Sequence, residues 1–207
     1  EQLCVRGLTL AGGVNDARTE SLRVKRGHAL ARGGRSEEAA RVYADVAARC
    51  EGEESVRLRV LAAQQLIQGA QVAEGLTAAR TLLKELGVPL PESDAGSFAQ
   101  LGWGRACLAL RGLEVKPRDS DGVSAKELLV LDTMEALLMP VSWVEMLPGA
   151  ALNTRYLRKA LTVGEPSHAC RALCQEASMR AMQEPEQREG YVPLFSRARE
   201  LARASGD

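Results

Sequence analysis

Apolar side chains recur every three to four positions along most of the chain, and short clusters of Gly, Pro, Ser and Asp interrupt the pattern. A period of 3.6 predicts amphipathic helices, whereas strand formers occur singly and never in alternating runs. The predicted helices cover about Gln2–Ala11, Asp16–Ala31, a segment capped by Ser36 and running to Arg49, Glu54–Gln68 and Val72–Leu86. Gly87-Val88-Pro89-Leu90-Pro91 ends this set. Further helices follow at about Gly96–Arg111, from Ser124 onward, and at Ala150–Val163, Ser167–Met182 and Tyr191–Ala204. Glu37 and Glu38 suit the first turn of the third helix, where the dipole favours negative charge. Ser124 and Glu127 have the spacing of a capping box. Pro140 removes a backbone donor and clashes with the turn before it, so a break or kink is expected there. The longest irregular stretch is 112–123.

Helix, short turn, helix repeated in this way predicts an all-α fold of antiparallel hairpins, about nine or ten helices in all. Two stretches also share a frame of small residues. Gly27, Gly34, Ala39 and Tyr43 in the first correspond to Ala63, Ala70, Gly75 and Ala79 in the second, each 36 positions on. Small side chains at that spacing let paired helices cross closely, as in tetratricopeptide repeats. The second copy lacks the aromatic. A weaker third pair comprises the last two helices, with Phe195 on the packing face. The expected fold is therefore a tetratricopeptide-like, right-handed superhelix in one domain over 1–207. Two repeats fill 20–91, irregular helices 95–146 and further hairpins 147–207. Repeats bury their apolar faces only by stacking. With a first residue other than Met and an end on Ser205-Gly206-Asp207, a piece of a longer protein is expected.

Composition adds to this. Apolar residues make up 45%, enough for a sizeable core, and aromatics only 3%. Lys plus Arg number 27 and Asp plus Glu 27, so a nucleic-acid groove or a basic membrane face is not expected. No apolar run reaches membrane-spanning length, and no signal peptide is expected. The five cysteines, unevenly spaced, read as reduced thiols of a cytoplasmic protein.

Several stretches resemble a known regulatory region. They are Arg57–Gly69 with Glu74-Gly75-Leu76, Leu86–Pro91, Leu110–Leu113 leading to Pro117-Arg118-Asp119, and Tyr156–Leu161 before Gly164-Glu165-Pro166 and Ala169–Leu173. From about Arg23 to Asp207 the chain is similar to the helical-repeat region of large bacterial serine/threonine protein kinases. In that family the kinase domain is followed by a predicted AAA/STAND-type ATPase and then by such repeats. The resemblance implies a non-catalytic regulatory module whose partner is a protein or peptide, including the kinase and ATPase domains of the same chain. Its catalytic residues do not carry over, because the chain has no Gly-rich phosphate loop, no HRD or DFG triplet and no GxxxxGK[ST].

Other candidate chemistry is sparse. His168, Cys170 and Cys174 form a His-x-Cys-x3-Cys cluster without a second ligand pair, and a buried thiol pair accounts for it. Glu127, Asp132, Glu135 and Glu145 fit solvated helix faces. Asp119, Ser120, Asp121 and Gly122 lack the bidentate Glu of a calcium loop and read as a polar turn. No catalytic residue, metal site or cofactor is expected. Trp103, in phase with Cys107 and Leu110, is expected in the core. Trp143, after Pro140, is a candidate interface anchor. In the repeat frame the concave groove would be lined by Val24, His28 and Arg32 and by Arg57, Val60, Gln64 and Gln68, a polar set suited to an acidic or extended peptide. Two other readings are a small-molecule sensor with a pocket near Pro140 and an oligomerisation scaffold.

Overall fold

In a computed structural model the protein is all-helical, and residues 1–10, 17–116, 118 and 122–205 are described. Ten helices occur among them: α1 (Gln2–Leu10), α2 (Ala17–Arg32), α3 (Ser36–Ala47), α4 (Gly52–Gln68), α5 (Val72–Glu85), α6 (Asp94–Arg111), α7 (Ala125–Val144), α8 (Met146–Val163), α9 (Pro166–Gln183) and α10 (Arg188–Ser205). The described residues contain no strand. None of these helices is long and apolar enough to cross a membrane. The polar stretch at Asp119–Asp121 and the turn at Gly12-Gly13 lie outside the described residues.

The chain divides into two compact units, Glu1–Pro89 and Leu90–Asp207. The boundary falls within the Gly-Val-Pro-Leu-Pro run, where prolines cannot continue a helix.

In the first unit, helices adjacent in sequence pack on one another: α1 on α2, α2 on α3, α3 on α4 and α4 on α5. Leu30, Ala39, Tyr43, Val46 and Leu58 form much of the core. The small residues of the repeat frame stand at the crossings. A methyl group on Gly27 would meet the Tyr43 ring, and one on Gly75 would come within 2.7 Å of Ile67. Ala39, Ala63 and Ala79 are fully buried. Arg59 donates to both carboxylate oxygens of Glu85, at 2.6 and 2.9 Å, tying α4 to α5 at the surface. Ser36 does not cap α3. Arg35 holds the N-cap position without a side-chain bond to the backbone, and Ser36 is the first helical residue. Its first-turn acids pair instead with Arg35 and Arg41.

In the second unit α8 is central, with α6, α7 and α9 packed around it and α10 on α9. Its sequence is apolar on most sides, and Ala150, Leu152, Leu157, Ala160 and Leu161 are all buried. Here α6 lies against α8, which departs from a series of successive hairpins. Gly104 permits this: a methyl group there would come within 2.7 Å of Thr154 Cγ2. The capping box of α7 forms, with the Ser124 hydroxyl accepting from the Glu127 amide and the Glu127 carboxylate accepting from the Ser124 amide. Pro140 does not break α7. The helix runs through it to Val144, Pro140 itself is buried, and the Ser142 hydroxyl donates to the Leu138 carbonyl beside it. Pro140 removes one helical hydrogen bond near the C-terminal end, and burial of Pro140 and Val141 offsets that loss.

Candidate functional site

The seven side chains predicted to line a groove in the first unit differ in exposure. His28, Arg32, Arg57 and Gln68 are exposed, but Val60 is only 6% exposed and belongs to the interior of the unit. Val24 packs on the core cluster and Gln64 is half-buried. His28 is engaged with the fold itself: its Nδ1 lies 2.8 Å from the Tyr43 hydroxyl. Arg57 stands 3.8 Å from Glu53, one turn away. Leu58 and Val60 flank Arg59 on successive positions of a helix covered by neighbours on two sides, so α4 leaves only a narrow strip to solvent.

The second unit brings together side chains that the sequence leaves far apart. His168, at the start of α9, is 4% exposed. Its Nε2 is 3.3 Å from Asp132 of α7, and its Nδ1 is 2.9 Å from the Tyr156 hydroxyl of α8 and 3.3 Å from Glu135. Tyr156 donates to Glu135 at 3.1 Å, and Arg171 Nε donates to the same carboxylate at 2.7 Å. The His168 amide donates to Glu165, which caps α9 at 2.6 Å. Burial works to raise the Glu135 carboxyl, but His168, Arg171 and Tyr156 together hold it below the ordinary carboxylate value. Burial and the Glu135 charge push the Tyr156 phenol well above its ordinary value, so it stays a donor. Asp132 and Glu135 are therefore more than a solvated face, and His168 turns to these acids rather than to Cys170 and Cys174.

A second buried cluster centres on Glu176 of α9, 1% exposed. It accepts from Asn153 Nδ2 at 2.7 Å, Thr154 Oγ1 at 3.2 Å and Arg180 Nε at 2.7 Å. Arg105 of α6 approaches to 3.7 Å. Each cluster joins three helices through polar groups directed at one another. Sequence spacing gives only a weak sign of them, because each helix contributes one or two residues to each cluster. Among the described residues no three His, Cys, Asp or Glu side chains are placed to hold a metal ion.

The five cysteines are free and half-buried. Cys170 Sγ lies 3.5 Å from the Ala198 carbonyl, and burial, then Cys170 itself, pushes the Cys174 thiol up. Both flank a groove of about 520 Å³ between α9 and α10, which Phe195 also lines instead of filling the packing face.

A larger groove of about 670 Å³ runs between α6 and α8. Arg155, Arg158 and Lys159 of α8 form one wall. Trp103, Cys107 and Arg111 of α6 form the other, with Gly104 at its floor. None of the described lining residues is acidic. Burial, and then repulsion from Arg158, lowers the Arg155 guanidinium below its ordinary value. Arg111 is held in place by the carbonyls of Glu114 and Leu161, at 3.2 and 2.9 Å. Trp103 is 68% exposed and Trp143 70%. Trp103 is thus not a core residue. The buried face of α6 is Ser97, Leu101, Gly104 and Leu108, while Phe98, Trp103 and Leu110 point outward.

No protein-family model, no curated protein and no solved structure matches the chain.

Proposed function

We propose that this chain is a non-catalytic protein-interaction and regulatory module of a multidomain bacterial signalling kinase, with tetratricopeptide-like stacking of its helical hairpins. The observation that supports it most is the set of large apolar side chains left in solvent on the second unit: Phe98, Trp103 and Leu110 on α6, and Met139, Trp143 and Met146 at the α7–α8 junction. Large apolar side chains left in solvent mark interaction surfaces where they come together, and tryptophan is enriched among the residues that anchor them. The buried polar clusters fit the same reading, because their groups are turned on one another inside the helix stack. The small residues at the crossings of α2 with α3 and of α4 with α5 support the repeat-like stacking. The kinase association rests on the sequence resemblance.

An antibody raised against the chain and used to blot an extract of the source cells tests the multidomain reading. A band several times heavier than 22.3 kDa supports it, and the heavier protein should then show phosphotransfer. A band near 22.3 kDa removes the kinase association. A photoreactive residue at position 143 tests the interaction reading, with position 25, an exposed lysine, as control. Capture of a discrete partner from position 143 alone supports it, and equal, diffuse capture from both positions overturns it.

An oligomerisation scaffold is the second reading, favoured by Met139, Trp143, Val144 and Met146, which are exposed close together in sequence. It predicts that position 143 crosslinks to another copy of the chain, giving a product of twice the chain mass.

A further inference from the structure

We infer that the α6–α8 groove of the second unit is a docking site for an acidic peptide segment that also carries apolar side chains, supplied by a partner protein. The inference rests on the interaction-module reading above and names the surface and the chemistry of its partner.

Three features of the groove support it. The first is charge. The chain as a whole is neutral, with 27 basic and 27 acidic residues, yet among the described residues four cations and no acid line this groove. Arg155, Arg158 and Lys159 recur at helical spacing on one face of α8, so their charges form a stripe along the groove. Like charges held side by side repel, and a carboxylate-bearing ligand relieves that repulsion as it binds. Guanidinium groups also grip carboxylates in a two-pronged geometry.

The second feature is the opposite wall. Trp103 stands beside the cations with most of its ring in water, and Leu110, two turns on and on the same face of α6, extends the apolar surface. One wall is cationic and the other aromatic, so the matching ligand has both acidic and apolar side chains. Covering the Trp103 ring removes a large apolar area from water, and aromatic residues of this kind dominate interface energetics.

The third feature is shape. On α6 the lining runs from Gln100 to Arg111, roughly 16 Å at the helical rise per residue. An extended peptide covers that length with about five residues. Small-molecule sites enclose most of their ligand, whereas this groove is an open channel along two helices, so a peptide fits it better. Gly104 sets the depth of the channel: its bare Cα brings α6 onto Thr154 and leaves Arg158 Cδ only 3.9 Å from the position a Cβ would occupy.

The test is selection of a random dodecapeptide display library on the full chain, followed by titration of the selected peptides. In a Trp143→Phe background Trp103 is the only tryptophan, so its emission reports occupation of the groove. The expected peptides are rich in Asp and Glu with at least one large apolar residue, and they shift the Trp103 emission to the blue. Arg158→Glu combined with Lys159→Glu should weaken their binding about tenfold or more, and higher salt should weaken binding to the wild-type chain. If that pair of reversals disturbs folding, Trp103→Ala serves instead. Its side chain is exposed, and the substitution should lower affinity with the helical content unchanged. Selected peptides that are not acidic, or that bind the variants as well as the wild type, overturn the groove assignment and leave the interaction module standing. Recovery of no peptide at all counts against both. Tighter binding of oligothymidylate than of any peptide, lost in the same reversal variant, overturns the peptide assignment in favour of a nucleic-acid groove.

Discussion

Gly27 of α2 and Tyr43 of α3 are in such close register that a methyl group on the glycine would lie 2.6 Å from Cε1 of the ring. The ring has little room to yield. Tyr43 is fully buried, and its hydroxyl is tied to His28 Nδ1 at 2.8 Å. Gly27→Ala therefore sets two effects against each other. Alanine in a helix interior gains about 1 kcal/mol over glycine, while overpacking a tight core costs about 1–3 kcal/mol. The clash should win, and calorimetry should show a lower melting temperature for Gly27→Ala and a larger drop for Gly27→Val. Tyr43→Phe keeps the ring and loses only the hydrogen bond to His28. Its cost should be smaller, about 1 kcal/mol.

The Glu176 cluster should be the most sensitive point of the second unit. Glu176→Ala would leave Asn153, Thr154 and Arg180 facing a hole, with Arg105 nearby and no acid to answer it. Removing one partner of a buried charged cluster typically costs about 3–5 kcal/mol. That is a large part of the stability of a domain this size. Glu176→Gln keeps the shape and one acceptor, so its loss should be smaller. Urea unfolding should order the three proteins as wild type, Gln variant, Ala variant. Hydrogen exchange should place the loss in α8 and α9.

The Glu135 cluster predicts a dependence on acid. Its carboxyl is held below the ordinary value in the fold, so the unfolded chain takes up that proton more readily. The stabilisation is therefore complete above the ordinary glutamate value of about 4.3 and is lost as pH falls through the lower, folded value. Arg171, Tyr156 and His168 face this carboxylate from the neighbouring helices, and Asp132 lies one turn away on its own helix. Glu135→Gln should cost about 1–2 kcal/mol at neutral pH, discounted for partial exposure. The difference between variant and wild type should shrink as the pH falls below about 4. A constant difference down to the acid transition would mean that the charge of Glu135 contributes nothing.

Periodicity locates every helix among the described residues because repetition at 3.6 residues is local information. Which face of a helix is buried is less local, and α6 shows why. It is apolar almost all round, so spacing alone groups Trp103 with Cys107 and Leu110 and suggests a core face. The face that is buried carries Ser97, Leu101, Gly104 and Leu108, where small residues admit α8. Small side chains at helical spacing are the better guide to a close crossing, as Gly27 and Gly75 are in the first unit. Val60 fails for a related reason: the repeat frame assigns it to a surface that the packing of α4 encloses. The capping box of Ser124 is legible because both partners lie within four residues. The clusters around His168 and Glu176 are not, since they draw on helices up to 71 positions apart, as Arg105 and Glu176 are. The α6–α8 groove is not legible in the sequence: Arg155, Arg158 and Lys159 stand at helical spacing on α8, but the groove becomes visible only once α6 is seen against α8.

The last prediction concerns the segment that closes α8. Gly164 follows the helix in a left-handed conformation, φ 80°, and its carbonyl accepts from the Arg118 amide at 2.8 Å. A methyl group at Gly164 would run into the Lys116 carbonyl. Arg111 reinforces the same connection from α6, donating to the carbonyls of Glu114 and Leu161. Glu114 and Arg118 are thus fastened near the C-terminal end of α8 through glycine backbone and one arginine fork. Gly164→Ala combines a conformation that costs a non-glycine residue about 1 kcal/mol with a direct collision, and so should release this segment. Trypsin cuts after Arg118 but not after Lys116, which precedes Pro117. Cleavage after Arg118 should be several times faster in Gly164→Ala than in the wild type, while cleavage within α2 or α4 stays unchanged. Arg111→Gln should speed the same cut to a lesser degree, because Gly164 still holds Arg118. Equal cleavage rates in all three proteins would show that the segment is held by contacts other than these.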